Sequence, residues 1–128
     1  MIRLLATLFL CSLLSANVAA AKLTPGESAP EFKLQDLGGK QHTLTELRAK
    51  GPALLFFWST ECGFCRVIAP KLQKLHLERA ASGLTVVGID IDFKMREQVE
   101  AFVRERKLTY LILHGSLDNA DVVERRVY

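Results

Sequence analysis

Cys62-Gly63-Phe64-Cys65 brings two thiols within three residues of each other, and Cys11 is the only other cysteine in the chain. Thiols at that spacing can close to a disulfide and reopen with little backbone movement. The pair follows the apolar run Ala53-Leu54-Leu55-Phe56-Phe57-Trp58 and leads into a helix-like stretch, Arg66–Ala81. At such a strand-to-helix junction, unpaired N–H groups and the helix dipole favour the anion of the first thiol. That combination reads as dithiol–disulfide exchange chemistry rather than a structural staple. Cys62 is then the attacking thiolate, and Cys65, already inside the first turn, resolves the mixed disulfide. A brace is the plainer alternative. A zinc site would need two further ligands, and there is no second Cys or His pair at suitable spacing.

Several neighbours bear on that chemistry. Trp58 is expected to pack under the loop, either shaping the site or serving as a core tryptophan. Glu61 would oppose thiolate formation through like-charge repulsion, or relay a proton if its own pKa is raised. Gly63-Phe64 leaves the inter-cysteine turn without proline and adds apolar surface beside the thiol. Asp90 and Asp92 are further proton-transfer candidates, with solvated carboxylates as the alternative; Asp90 ends a strand beside the presumed active-site strand. Arg66 either favours the thiolate or simply faces solvent. His42, His76 and His114 fall in unrelated segments and read as surface or satisfied histidines.

The elements that must position these residues follow from periodicity. Phe32 and Leu34 suggest a short strand, Gly38-Gly39 a turn, and Lys40–Thr43 the returning strand. Thr43 or Thr45 caps a short helix, Glu46–Lys50, closed by Gly51-Pro52. The continuous apolar run Ala53–Trp58 fits a strand covered on both faces. Ile68, Leu72 and Leu75 repeat at helical spacing, Ser82-Gly83 ends the helix, and Pro70 should kink it about one turn past Cys65. Leu84–Asp90 reads as a second buried strand, so strand, helix and strand form a right-handed βαβ unit. Arg96–Lys107 is a second long helix, Tyr110–Leu113 a third strand, and Asp118 or Asn119 starts a final short helix. The fold class is α/β with a mainly parallel sheet, whose sites form beyond the carboxyl ends of the strands.

The ends and the charge set the context. Residues 1–21 combine Arg3, the apolar run Leu4–Leu14 and the small residues Val18–Ala21, the layout of a secretory signal peptide cut before Lys22 or one residue earlier. The run is shorter than the about 20 residues of a membrane-spanning helix, so no stable insertion is expected after cleavage. An uncleaved anchor and a lipoprotein site at Cys11 are the alternatives. Residues 22–128 then form one domain. Losing Arg3 takes the formal charge from +3 to +2, and the basic residues are spread out, which gives no nucleic-acid footprint. A lone CxxC pair in an exported chain suits an active pair better than a brace.

The segment Phe57-Trp58-Ser59-Thr60-Glu61-Cys62-Gly63-Phe64-Cys65-Arg66-Val67-Ile68-Ala69-Pro70 resembles the active-site segment of the thioredoxin superfamily, Pro70 included. The leader Pro25-Gly26-Glu27-Ser28-Ala29-Pro30-Glu31-Phe32-Lys33-Leu34, with Gly38-Gly39-Lys40 and Leu44-Thr45-Glu46-Leu47, narrows the likeness. It resembles the exported thiol–disulfide oxidoreductases of the TlpA/ResA type, related to the AhpC/TSA redoxins. The resemblance covers residues 25–128 and implies a thioredoxin-like fold and catalysis by Cys62 and Cys65 without a cofactor. It also implies protein thiol or disulfide substrates, a membrane or periplasmic electron donor, and a role such as cytochrome c biogenesis in the periplasm.

Two departures stand out. Glu61 occupies a position usually held by tryptophan or another bulky group. Family members also continue past a segment like Asp121–Tyr128 into a Gly-Val-x-Gly-x-Pro stretch, whose cis-proline faces the dithiol, and then into two strands and a helix. This sequence stops at Tyr128, so the expected domain lacks the C-terminal hairpin and helix. One edge of Ala53–Trp58 is then expected to lie open to strand addition. The alternatives to exchange are a peroxiredoxin-like thiol peroxidase, with Thr60 echoing that pattern, and a non-catalytic metal or apoprotein chaperone or remnant domain.

Overall fold

The computed structural model describes residues 24–92 and 96–115. Asp36 organises its opening hairpin. Its Oδ1 accepts the N–H groups of Gly38 at 2.8 Å and Lys40 at 2.9 Å, and its Oδ2 lies 2.8 Å from His42 Nε2. Gly39 takes the left-handed backbone (φ +86°) that closes the turn. Strands β1 (Lys33–Asp36) and β2 (Gln41–Thr43) thus pair with Leu34 opposite His42.

Thr43, rather than Thr45, starts the first helix, α1 (Leu44–Arg48). Its hydroxyl accepts the Glu46 N–H at 3.2 Å, while Glu46 Oε2 accepts the Thr43 N–H at 3.0 Å. This reciprocal capping box satisfies two orphan donors and stabilises a helix too short to persist alone.

Strand β3 (Ala53–Trp58), helix α2 (Gly63–Arg79) with a following 3-10 turn, and strand β4 (Thr85–Asp90) form the βαβ unit. Their parallel register runs from Ala53 opposite Thr85 to Trp58 opposite Asp90. Helix α3 (Arg96–Glu105) and strand β5 (Leu111–His114) follow, with β5 parallel to β4. The strand order is β2-β1-β5-β4-β3. The sheet is mixed: β3, β4 and β5 are parallel, but β1 runs antiparallel to both β2 and β5. A tight hairpin reverses the chain, whereas a helical crossover does not, so the leader adds the antiparallel half.

Alternation along β4 divides the core. Val86 faces Trp58, Cys65, Ala69, Leu72, Val99 and Phe102, whereas Val87 and Ile89 face Phe32, Leu34, Leu44 and Leu47. Every residue of Val86–Asp90 is buried, because β4 has a strand on each edge and apolar packing on both faces. For β3 the full cover suggested by its apolar run fails, whereas the open edge expected from the resemblance is present in the described sheet. Ala53–Phe57 are only half-buried, since β3 is the last strand of the described sheet. Its apolar composition matches that of β4, but burial depends on neighbours.

Gly51 and Gly83 meet where the chain enters β3 and β4. A Cβ on Gly51 would lie 2.6 Å from the Gly83 carbonyl oxygen, and one on Gly83 would lie 2.7 Å from that of Lys50. The expected signal peptide (1–21) and the final helix from Asp118 or Asn119 lie outside the described residues.

Candidate active site

Helix α2 begins at the dithiol. Cys62 is its N-cap in extended conformation (φ −72°, ψ 104°), and its Sγ accepts the Cys65 N–H at 3.1 Å. The Cys62 N–H in turn donates to the Ser59 carbonyl at 3.2 Å, closing a turn ahead of the helix. Cys62 and Cys65 are joined in a disulfide, with Cα atoms 5.2 Å apart. Their exposure differs. Cys65 is 6% exposed and packs into the core, while Cys62 is half-buried at the rim. A sulfur at an N-cap receives a backbone N–H and the positive end of the helix dipole, and both favour a thiolate. The geometry therefore distinguishes an approachable, anion-stabilised sulfur from a sheltered one.

Around the pair, the sequence candidates separate. Trp58 is 2% exposed and stacks on Phe102, with ring centroids 4.7 Å apart. It lies against Gly88, where a Cβ would come within 2.9 Å of Trp58 Nε1. That nitrogen is buried and has no hydrogen-bond partner among the described residues. Phe64 is 70% exposed and Val67, one turn on, is 58% exposed, so apolar surface flanks Cys62. Glu61 and Gly63 are exposed as well. Pro70 sits inside α2, which runs on to Arg79; lacking an N–H, it cannot donate to the Arg66 carbonyl.

Asp90 departs from the solvated reading. It is fully buried at the carboxyl end of β4. Its Oδ2 lies 2.5 Å from His114 Nδ1, and its Oδ1 accepts the Asp92 N–H at 2.8 Å. Burial pushes its carboxyl above the ordinary carboxylate range, with the bonds to Asp92 and His114 opposing that shift. Asp92 then reaches back, its Oδ2 accepting the Thr60 N–H. Thr60, 7% exposed, is held on its other side too, because Arg66 donates to its carbonyl through Nε at 3.2 Å and Nη2 at 3.1 Å. Arg66 thus braces the loop instead of merely facing solvent.

His114 and Thr60 are the participants that sequence reasoning did not assign to this arrangement. Their signal was positional: polar residues at the carboxyl ends of parallel strands, where sites form. Which of those ends adjoin depends on register, which places Asp90 beside Trp58 on one side and His114 on the other. A cleft of about 280 Å³ opens beside the loop, between Thr60, Glu61 and Arg66 on one wall and Phe102 and Arg106 on the other.

A thioredoxin-like α/β sheet with a CxxC pair at the N-terminus of its central helix defines a class of redox-active domains, and residues 25–124 match the AhpC/TSA family. The chain belongs to that family. It is 38% identical over 90 residues to the thioredoxin-like protein YneN of Bacillus subtilis, covering 69% of this chain and 52% of that protein. To the thiol-disulfide oxidoreductase ResA of Geobacillus thermodenitrificans it is 33% identical over 98 residues, covering 77% and 53%. Among solved structures, the thioredoxin domain of a thiol-disulfide oxidoreductase from Bacteroides vulgatus superposes with TM-score 0.73 at 28% identity, covering 81% of this chain and 74% of that one. The chain spans about half the length of the curated relatives it matches. Among the described residues, no helix is long and apolar enough to cross a membrane.

Proposed function

We infer that this chain carries out thiol–disulfide exchange, reducing disulfides of protein substrates outside the cytoplasm. One observation carries the reading: Cys62 caps α2 with its sulfur on the Cys65 N–H, while Cys65 lies beneath it in the core. In the reduced form, the Cys62 thiolate attacks one sulfur of a substrate disulfide, forming a mixed disulfide and expelling the other sulfur as a thiolate that takes up a proton. Cys65 loses its proton and attacks Cys62 Sγ, closing the Cys62–Cys65 disulfide and releasing the second substrate thiol. Two electrons pass to the substrate, and a dithiol donor returns the protein to its reduced state.

The surroundings support these steps. Phe64 and Val67 offer apolar contact to residues flanking a substrate disulfide, and the cleft beside Thr60 leaves room for a neighbouring side chain. Trp58 and Phe102 pack on each other in the buried cluster that Cys65 joins. Residues 22–128 form the functional domain in this reading, and residues 1–21 direct its export.

Insulin-disulfide reduction with the full chain tests the proposal. Wild type is expected to reduce insulin, Cys62→Ser to be inactive, and Cys65→Ser to accumulate mixed disulfides visible on non-reducing gels. A well-folded wild type without reductase activity overturns the reading. Peroxide consumption that survives Cys65→Ser unchanged would instead indicate a peroxidase.

A further inference from the structure

Four hydrogen-bonded residues run from the end of β5 to Thr60 in the loop before the dithiol, and thiol exchange as written above does not use them. His114 Nδ1 meets Asp90 Oδ2 at 2.5 Å, Asp90 Oδ1 holds the Asp92 N–H at 2.8 Å, and Asp92 Oδ2 holds the Thr60 N–H. Thr60 stands two residues before Cys62. We propose that Asp90 and His114 are positioning residues for the dithiol, acting on Cys62 through Asp92 and Thr60. This rests on the exchange reading.

The cost of the arrangement is one argument for it. Asp90 has no exposed surface, and a carboxylate in such a place is unfavourable unless its oxygens are matched. Both are matched, and both bonds do orienting work. His114 fixes the carboxylate from β5, and the other oxygen fixes the backbone of Asp92, turning that side chain back toward the loop. An apolar residue at position 90 would fill the space more cheaply but hold neither.

The loop's geometry is a second argument. Thr60 is clamped from both sides, by Asp92 at its N–H and by Arg66 at its carbonyl. Arg66 belongs to the first turn of α2 and Asp92 follows β4, so the loop bearing Cys62 is pinned between helix and sheet. The Cys62 thiolate draws its stabilisation from the Cys65 N–H, which requires the loop to keep its place over the helix end. Among the described residues, the titratable and charged groups around this chain are Glu61, Arg66, Asp90, Asp92 and His114, with Glu105 and Arg106 across the cleft.

Charge and position predict opposite signs, which makes the proposal testable. If Asp92 acted only as a nearby negative charge, removing it would ease thiolate formation and lower the Cys62 midpoint. If it positions the loop, removing it raises the midpoint. The measurement is the pH dependence of iodoacetamide alkylation of Cys62 in the reduced full chain, read by peptide mass spectrometry, with folding monitored by circular dichroism. Asp92→Ala and His114→Ala are expected to raise the midpoint by about half a pH unit, roughly a threefold loss of thiolate at a fixed pH below it. Asp92→Asn keeps an acceptor for Thr60, and His114→Asn places a donor near the original Nδ1; both are expected to recover most of the loss.

An unchanged or lowered midpoint in folded Asp92→Ala or His114→Ala overturns the proposal, as does failure of both asparagine variants to recover it. Should His114→Ala not fold, Asp92→Ala, at a half-buried site, decides the matter with its asparagine control. Insulin reduction by wild type is followed in parallel. Its absence counts against the exchange reading, while the alkylation midpoints still report on positioning.

Discussion

Two carboxylates in this chain respond to folding in opposite directions. The bond from His42 holds Asp36 below the ordinary 3.8, so its contribution to stability is present above that value and lost as pH falls from it through the lower folded-state pKa. Burial raises Asp90 above 3.8, so its contribution is present below that value and lost as pH rises toward the folded-state pKa. Urea melts across pH 2–7 should therefore show Asp36→Asn converging on wild type at the acid end. Asp90→Asn should gain relative to wild type as pH rises above about 4. Parallel pH profiles for Asp90→Asn and wild type would contradict the buried, ionisable carboxylate described for β4.

Among the elements, α1 depends most on its cap. It contains five residues, and Thr43 and Glu46 satisfy its first donors reciprocally. Thr43→Ala should cost about 1 kcal/mol, measured as a lower denaturation midpoint with an unchanged slope. Thr45→Ala provides the comparison, because Thr45 bonds to Glu31 on the surface instead of capping the helix. Equal losses from the two substitutions would deny the capping box its role. Helix α2 works differently: its N-cap is Cys62 itself, so under the proposed exchange the residue that begins the helix also performs the chemistry.

At the scale of the molecule, one strand joins two cores. Val86 of β4 packs on the α2 face with Trp58, while Val87 and Ile89 pack on the opposite face with Leu34. Leu34→Ala should therefore destabilise the dithiol face from across the sheet, by about 2–5 kcal/mol for a truncated core leucine. Trp58 is the sole tryptophan, so its fluorescence reports the α2 face alone. Its thermal transition is expected to shift together with that of far-UV circular dichroism. A Trp58 transition unmoved by Leu34→Ala would mean the two faces unfold independently.

Much of this architecture was legible from local pattern. The Gly38-Gly39 turn, the alternation about Phe32 and Leu34, the helical spacing of Ile68 and Leu72, and Ser82-Gly83 as a stop all act over a few residues, and the corresponding elements are present. Cys62 and Cys65 are neighbours in sequence, so their pairing needed only the helix start to bring them together. The half-burial of β3 was not legible in its apolar run, which looks like that of β4; the open edge was expected only from the resemblance, and strand order places it there. Nor was the link between Asp90 and His114, which lie 24 residues apart. Local sequence chemistry determined the dithiol, its helix and the elements around it. Tertiary structure alone decided which strand lies innermost and which polar residues at the strand ends adjoin, since register and strand order arise from packing between distant segments.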